Sequence, residues 1–269
     1  MIGAQTSAVI RGAERQRMLV IPKRRVSGTK PGWVPMIRSH AARAVRWRRA
    51  VISMGSDRSG LGGDEAILGE PRVLAGMERH EVKGNLVAAR PRYLREHFGE
   101  SALEDVAQRL SEPLRKLLLA PTLPFAWYPL RDMAEIDRAI VQGPMHGEVS
   151  RMKEFGATIA RYDLSTIYKV LFKLGSPAFI VRRINVAYRT YIRGGSMQGE
   201  TPSNSSAVVT FVDGAFPLYL CRYGVAGWLT AAIELSGGRR VLVHEKTCRH
   251  AGDERCRWEA SWSAHSTAP

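Results

Sequence analysis

The chain has 269 residues, 45% of them apolar and 24% charged, with a formal net charge of +15. No stretch approaches the roughly 18 uninterrupted apolar residues of a membrane helix, and three cysteines are too few, and odd in number, for a secreted disulfide scaffold. The charge is uneven: residues 1–53 hold twelve Lys and Arg against the single acid Glu14, which leaves +4 for the remainder and argues against a nucleic-acid footprint spread over the fold.

Residues 1–66 lack sustained periodicity, carry Pro22, Pro31 and Pro35, and read as a basic arm that buries too little apolar surface to offset its ordering entropy. Three readings stand for it. The natural chain starts near Met54; or the arm is a disordered tail that touches nucleic acid or acidic partners through Arg46-Trp47-Arg48-Arg49; or it is an Arg-rich targeting peptide. Residues 67–263 then form one domain and 264–269 a tail.

The first half of the domain reads as helical. Lys83–Phe98 stops at Gly99, with Pro91 as a candidate break. Ser101 and Glu104 form a capping box for a helix carrying Leu103, Val106, Ala107 and Leu110. A short helix follows Ser111 and Pro113, and then a Pro-containing loop reaches Trp127. Pro129–Val141 places Leu130, Met133, Ile136 and Ile140 on one face. On that helix Asp132, Glu135 and Asp137 read as a solvated face. Val149–Tyr162, Leu164–Leu174 and Pro177–Ile192 are three further helices, the last one stopped by Gly194-Gly195.

The period then changes. Ala207–Val212 is β-branched and reads as a strand, whereas Ser196 and Ser203–Ser206 read as a polar loop. Pro217–Tyr223 is ambiguous, and Trp228–Leu235 is a short helix. Arg240–Cys248 is a strand with Leu242, His244, Lys246 and Cys248 on one face. Cys256–Trp262 alternates cleanly, with Cys256, Trp258, Ala260 and Trp262 on one face. Helices first and antiparallel strands last predict an α+β fold: a helical N-terminal half followed by a small antiparallel sheet with one face on the core and one wet.

Cys248-Arg-His-Ala-Gly-Asp-Glu-Arg-Cys256 is the segment with a chemical reading. Gly252-Asp253 supplies the turn and brings two cysteines together at strand ends. Zinc takes four S, N or O ligands. Cys221 can be a third ligand, and His244, His250 or Glu200 a fourth. The alternative is that the cysteines are simply core, because buried Cys behaves as a small hydrophobe. Phe179, Phe211, Tyr219 and Trp228 lie in apolar segments and are candidates to line an apolar pocket between helices and sheet. No H-E-x-x-H, P-loop, G-x-S-x-G or G-x-G-x-x-G occurs.

The strand followed by Cys-x-x-x-Gly-Asp-x-x-Cys-x-Trp, Cys248 to Trp258, resembles the 4-vinyl-reductase domain. That domain is related to the haem NO-binding fold and to subunits of vesicle-tethering complexes. It occurs in bacteriochlorophyll vinyl-reductase proteins and in the aromatic-sensing part of phenol-responsive activators. Upstream, Lys83-Gly84, Tyr93–Gly99, Trp127–Leu130 and Gly227–Leu229 are similar to an uncharacterised paralogous family expanded in myxobacteria. The resemblance covers about residues 80–262. It implies a zinc ion held by Cys221, Cys248 and Cys256 with Glu200. The Tyr-x-Ser-x-Arg signature of the haem relatives is not present.

Three functions follow as expectations. The first is a non-enzymatic sensor for a small apolar ligand, cytoplasmic, with a separate protein output partner and a homodimeric form. The second is an interaction scaffold with no small ligand. The third is an accessory subunit of a reductase.

Overall fold

The computed structural model of the chain describes residues 77–166, 176–214 and 216–263, all within the unit that runs from Ser56 to Pro269. The basic arm, the proposed start at Met54, most of the predicted helix Leu164–Leu174 and the tail lie outside the described residues. Among the described residues no helix is long and apolar enough to cross a membrane.

Strand β1 (Glu81–Lys83) leads into α1 (Gly84–Phe98), α2 (Glu100–Gln108) and α3 (Glu112–Leu119). Helix α1 runs through Pro91 without a break and ends at Gly99, whose φ of +88° is open to glycine. The next helix begins at once, so Ser101 falls inside the first turn of α2 and the expected capping box does not form. Strand β2 (Trp127–Pro129) and α4 (Leu130–Gln142) follow. Leu130, Met133, Ile136 and Ile140 form the buried stripe of α4, as their spacing predicts. Asp137 lies on the same buried side, so the expected wet acidic face holds only for Asp132 and Glu135, which are half-buried.

A turn of 3-10 helix at Val149–Arg151 enters α5 (Met152–Thr166). The helix expected over Pro177–Ile192 is two helices, α6 (Pro177–Arg182) and α7 (Ile184–Tyr191), because Arg183 leaves helical geometry at φ −106°, ψ 13°. Ile192–Arg193 then forms β3, which pairs with β1; the first small sheet has the order β2-β1-β3.

The second sheet is antiparallel with the order β4-β5-β7-β6, made of β4 (Ser196–Ser203), β5 (Ser206–Val212), β6 (Arg239–Thr247) and β7 (Cys256–Ser263). Strand β4 replaces the polar loop expected there. As an edge strand it buries only Met197, so its composition carries no strand signal. Between the sheets' strands, a π-helical stretch Leu220–Val225 resolves the ambiguous segment and continues into α8 (Ala226–Leu235). Alternation is clean in β7, where Cys256, Trp258, Ala260 and Trp262 are buried. The main core lies between this inner face and the helices.

Helices α5 and α8 cross at glycines. A Cβ on Gly227 would stand 1.9 Å from Lys153 O, and one on Gly156 would stand 2.1 Å from Gly224 O. Helix α5 is also tied to α1 through Asp163, which accepts from Asn85 Nδ2 at 2.9 Å. Asp163 Oδ2 and Asn85 Oδ1 are buried without hydrogen-bond partners. Burial pushes the Asp163 carboxyl up to about 6, against the opposing bond from Asn85. A carboxyl raised in the folded state binds its proton more tightly there than in the unfolded chain. Stability is therefore lost as pH rises from about 4 through about 6 and stays lowered above that. Asp163→Asn is expected to raise stability at pH 7.5 by about 2 kcal/mol and to change it little at pH 4, read from urea midpoints at the two pH values.

Candidate functional site

An apolar cavity of about 130 Å³ lies among the helices, with Met197 of edge strand β4 as the second sheet's contribution to its lining. Leu86 and Arg90 of α1, Met133 of α4, Phe155, Gly156 and Ile159 of α5, and Ile184, Ala187, Tyr188 and Tyr191 of α7 form one side. Ile192, Met197, Phe216, the π-helical residues Leu220, Gly224 and Val225, and Trp228 and Leu229 of α8 close the other. The close approach of α5 to the π-helix at Gly156 and Gly224 sets the width at that corner. Phe216 stacks on Phe211 with ring centroids 4.8 Å apart, and Tyr188 meets Phe211 at 5.4 Å. The Tyr188 hydroxyl donates to Gly194 O, which holds the ring against the wall.

Of the four aromatics expected to line a pocket, Trp228 does. Phe211 stands one layer behind Tyr188 and Phe216. Tyr219 is buried elsewhere, its hydroxyl donating to Ala134 O at 2.6 Å. Phe179 packs on a separate small cluster with Ala157, Leu164 and Ala231, beneath the guanidinium of Arg183 at 4.6 Å. The wall residues not singled out in the sequence, Phe155, Tyr188 and Tyr191, all sit on the predicted apolar helix faces. Periodicity gives the face but not which part of it borders a gap.

One charged residue lines the cavity, Arg90. It is buried, and its Nε and Nη2 bind the two oxygens of Asp137 at 2.9 Å each, while Nη1 donates to Leu86 O at 2.7 Å. The guanidinium also lies 5.1 Å from the Phe155 ring centre. Burial raises the Asp137 carboxyl, and the adjacent Arg90 opposes that rise. Two residues 47 apart on different helices give no sequence signal of pairing.

The three cysteines meet beside this cavity. Cys221 is on the π-helical wall segment, and its Sγ stands 3.7 Å from Cys256 Sγ. Trp258 Nε1 donates to Cys221 O at 3.1 Å. Hydrogen bonds to Cys248 and Cys256, with burial, hold the Cys221 thiol well above its ordinary pKa. The Cys256 thiol is pulled down by the bonds it accepts from Cys221 and Cys248. The hairpin between β6 and β7 turns at Gly252, φ +93°, with Asp253 accepting from Cys248 N at 2.7 Å.

The fourth donor beside these thiols is Glu245. Strand β6 carries a bulge between Glu245 and Thr247, whose partners Trp258 and Arg257 are adjacent. An extra residue inverts the alternation, so Cys248 faces inward with Val243 and Glu245, and His244 points to the wet face. This corrects the shared face of His244 and Cys248 that strict alternation predicts. Burial first, then the Cys248 thiol, pushes the Glu245 carboxyl up to about 8. Its Oε1 is buried without a hydrogen-bond partner, and Arg222 approaches Oε2 at 3.8 Å.

Glu200 is exposed on β4 opposite Val208, three residues from the Met197–Phe211–Cys256 rung, and does not join the cysteines. His250 is buried, but its Nε2 is engaged with Phe216 O at 2.7 Å. Among the described residues, no group of three or more His, Cys, Asp or Glu side chains is placed to hold a metal ion; a bound ion would require these side chains to turn toward a common point.

The fold and site define a class: an α+β domain whose helices form the walls of a small, partly open apolar cavity. Solved structures with a similar fold include H-NOX proteins. An unliganded Fe(II) H-NOX protein from K. algicida aligns with a TM-score of 0.55 at 8% identity, over 70% of this chain and 100% of that one. An S. oneidensis H-NOX protein in the Fe(II)NO state aligns with a TM-score of 0.55 at 15% identity, over 67% and 99%. No family model and no curated protein matches the chain. The α+β class expected from the order of helices and strands is thus found.

Proposed function

We propose that this domain is a non-enzymatic receptor of the 4-vinyl-reductase type, sensing a small apolar molecule and passing the signal to a separate protein. The observation that carries this reading is the cavity. Its volume of about 130 Å³ and its aliphatic and aromatic walls are close to those of an engineered protein cavity of about 150 Å³ that stays dry and takes benzene. Toluene is expected to bind the full chain with a Kd of about 0.1–1 mM by calorimetric titration. Ala187→Leu, which extends a wall side chain into the space, is expected to abolish that binding. A folded protein that takes up no toluene would sink the receptor reading.

The H-NOX structures that share the fold are described in Fe(II), NO and CO states, and one related description names heme. The residues here do not fit a haem. Among the described residues, no histidine or cysteine, the commonest axial ligands, lines the cavity.

Zinc is a better fit to the donors beside the cavity. Two thiolates bound tetrahedrally at about 2.3 Å stand about 3.8 Å apart, close to the 3.7 Å between Cys221 and Cys256. The set we propose is Cys221, Cys248, Cys256 and Glu245, with the buried Glu245 Oε1 in the place that the resemblance gives to Glu200. A bound ion would supply structural charge neutralisation and brace the π-helical wall. Elemental analysis of the full chain, purified without chelator, is expected to find about one zinc per chain, lost in Cys248→Ser/Cys256→Ser. A metal-free, normally folded wild type would leave the cysteines as core.

A second reading, an interaction surface, draws on the α3–β2 connection, where Leu123 and Phe125 are 69% and 78% exposed. It is compatible with the first, as the place where an output partner or a second copy docks.

A further inference from the structure

We infer that the ligand is a small cyclic ketone or aldehyde, whose carbonyl oxygen accepts a hydrogen bond from Arg90. The inference rests on the receptor reading above and gives its ligand a chemical class.

Arg90 is the charged residue in an otherwise apolar wall. A guanidinium has five N–H donors and no acceptor. Three are used, two by Asp137 and one by Leu86 O. Among the described residues one N–H on each Nη is left over, in a side chain that is 3% exposed. Buried donors without acceptors are costly, and a guest that supplies an acceptor removes that cost. A carbonyl oxygen accepts and donates nothing, so it complements a group that donates and accepts nothing. A hydroxylated guest brings a hydrogen that Arg90 cannot receive.

Charge decides against an anion. Asp137, fully buried and bidentate on Arg90, already balances the guanidinium. A carboxylate guest would add an unpaired negative charge to a nearly dry site, which is strongly unfavourable. The ring of the guest meets Phe155, Tyr188 and Trp228, and the available volume admits one six-membered ring.

The test uses cyclohexanone and methylenecyclohexane, which differ only in C=O against C=CH2, together with benzoate. Calorimetric titration of the full chain is expected to give about tenfold tighter binding of cyclohexanone than of methylenecyclohexane, and no binding of benzoate. The charge-free variant Arg90→Met/Asp137→Leu is expected to bind the two neutral guests equally. The carbon-13 carbonyl resonance of labelled cyclohexanone is expected to move downfield on binding to wild type, a readout that does not depend on the variant folding. Equal binding of the two neutral guests by wild type, a preference that survives in the folded double variant, an unshifted carbonyl resonance, or tight benzoate binding would each overturn the inference and leave the receptor reading standing. Failure of toluene, cyclohexanone and methylenecyclohexane alike to bind would instead bring down the receptor reading itself.

Discussion

Asp137→Ala is expected to destabilise the domain by about 3–5 kcal/mol, read from urea unfolding at neutral pH. The carboxylate is fully buried and holds two of the Arg90 donors at 2.9 Å. Removing it leaves a buried guanidinium that, among the described residues, keeps its hydrogen bond to Leu86 O. The attraction in a buried pair roughly offsets the desolvation of its two members, so the large cost belongs to the partner left behind. Removing both charges is therefore different. Arg90→Met/Asp137→Leu is expected to lie within about 1–2 kcal/mol of wild type on either side. If the single and double variants lose equal stability, the loss comes from repacking around α1 and α4 and not from the uncompensated charge.

Gly227→Ala is expected to destabilise by about 3 kcal/mol, with the sign carrying the information. In an exposed helix interior, glycine to alanine stabilises by about 1 kcal/mol. Here a Cβ would fall 1.9 Å from Lys153 O and 3.1 Å from Ala157 N. Both are backbone atoms of α5 that cannot rotate away, so α8 must move as a body, at the upper end of overpacking costs or beyond. The movement would also pull Trp228 and Leu229 from the cavity wall. Loss of toluene binding should accompany the loss of stability in thermal melts of the same variant. A neutral or stabilising outcome would mean that the two helices do not cross at this glycine.

The zinc set expected from the sequence and the one proposed above differ by a single acid, and the reason is local. Glu200 comes from the resemblance, and His244 from counting alternate residues back from Cys248. A bulge between Glu245 and Thr247 defeats the second count. It reverses the alternation of β6 after Glu245 and turns Cys248 inward beside Glu245. An extra residue in a ladder depends on the partner strand, here Trp258 and Arg257 of β7. Nothing in the order of residues along β6 announces it.

By itself the sequence determined the elements with strong periodicity. The apolar spacing of α4, the alternation of β7, the Gly252 turn and the convergence of Cys248 with Cys256 all follow from local rules, and the α+β class follows from their order. Tertiary structure alone decided what lies between those elements. Edge strand β4 is held by its pairing with β5 and not by its own composition. The break at Arg183 and the π-helical segment have no counterpart in the apolar spacing of the chain. The cavity is a gap between faces that each look like ordinary core, so Trp228 borders it while Phe211, Tyr219 and Phe179 do not. Asp137 reads as a solvated charge until it is buried against Arg90 of a neighbouring helix. Burial and pairing belong to residues far apart in the chain, and only the folded molecule brings them together.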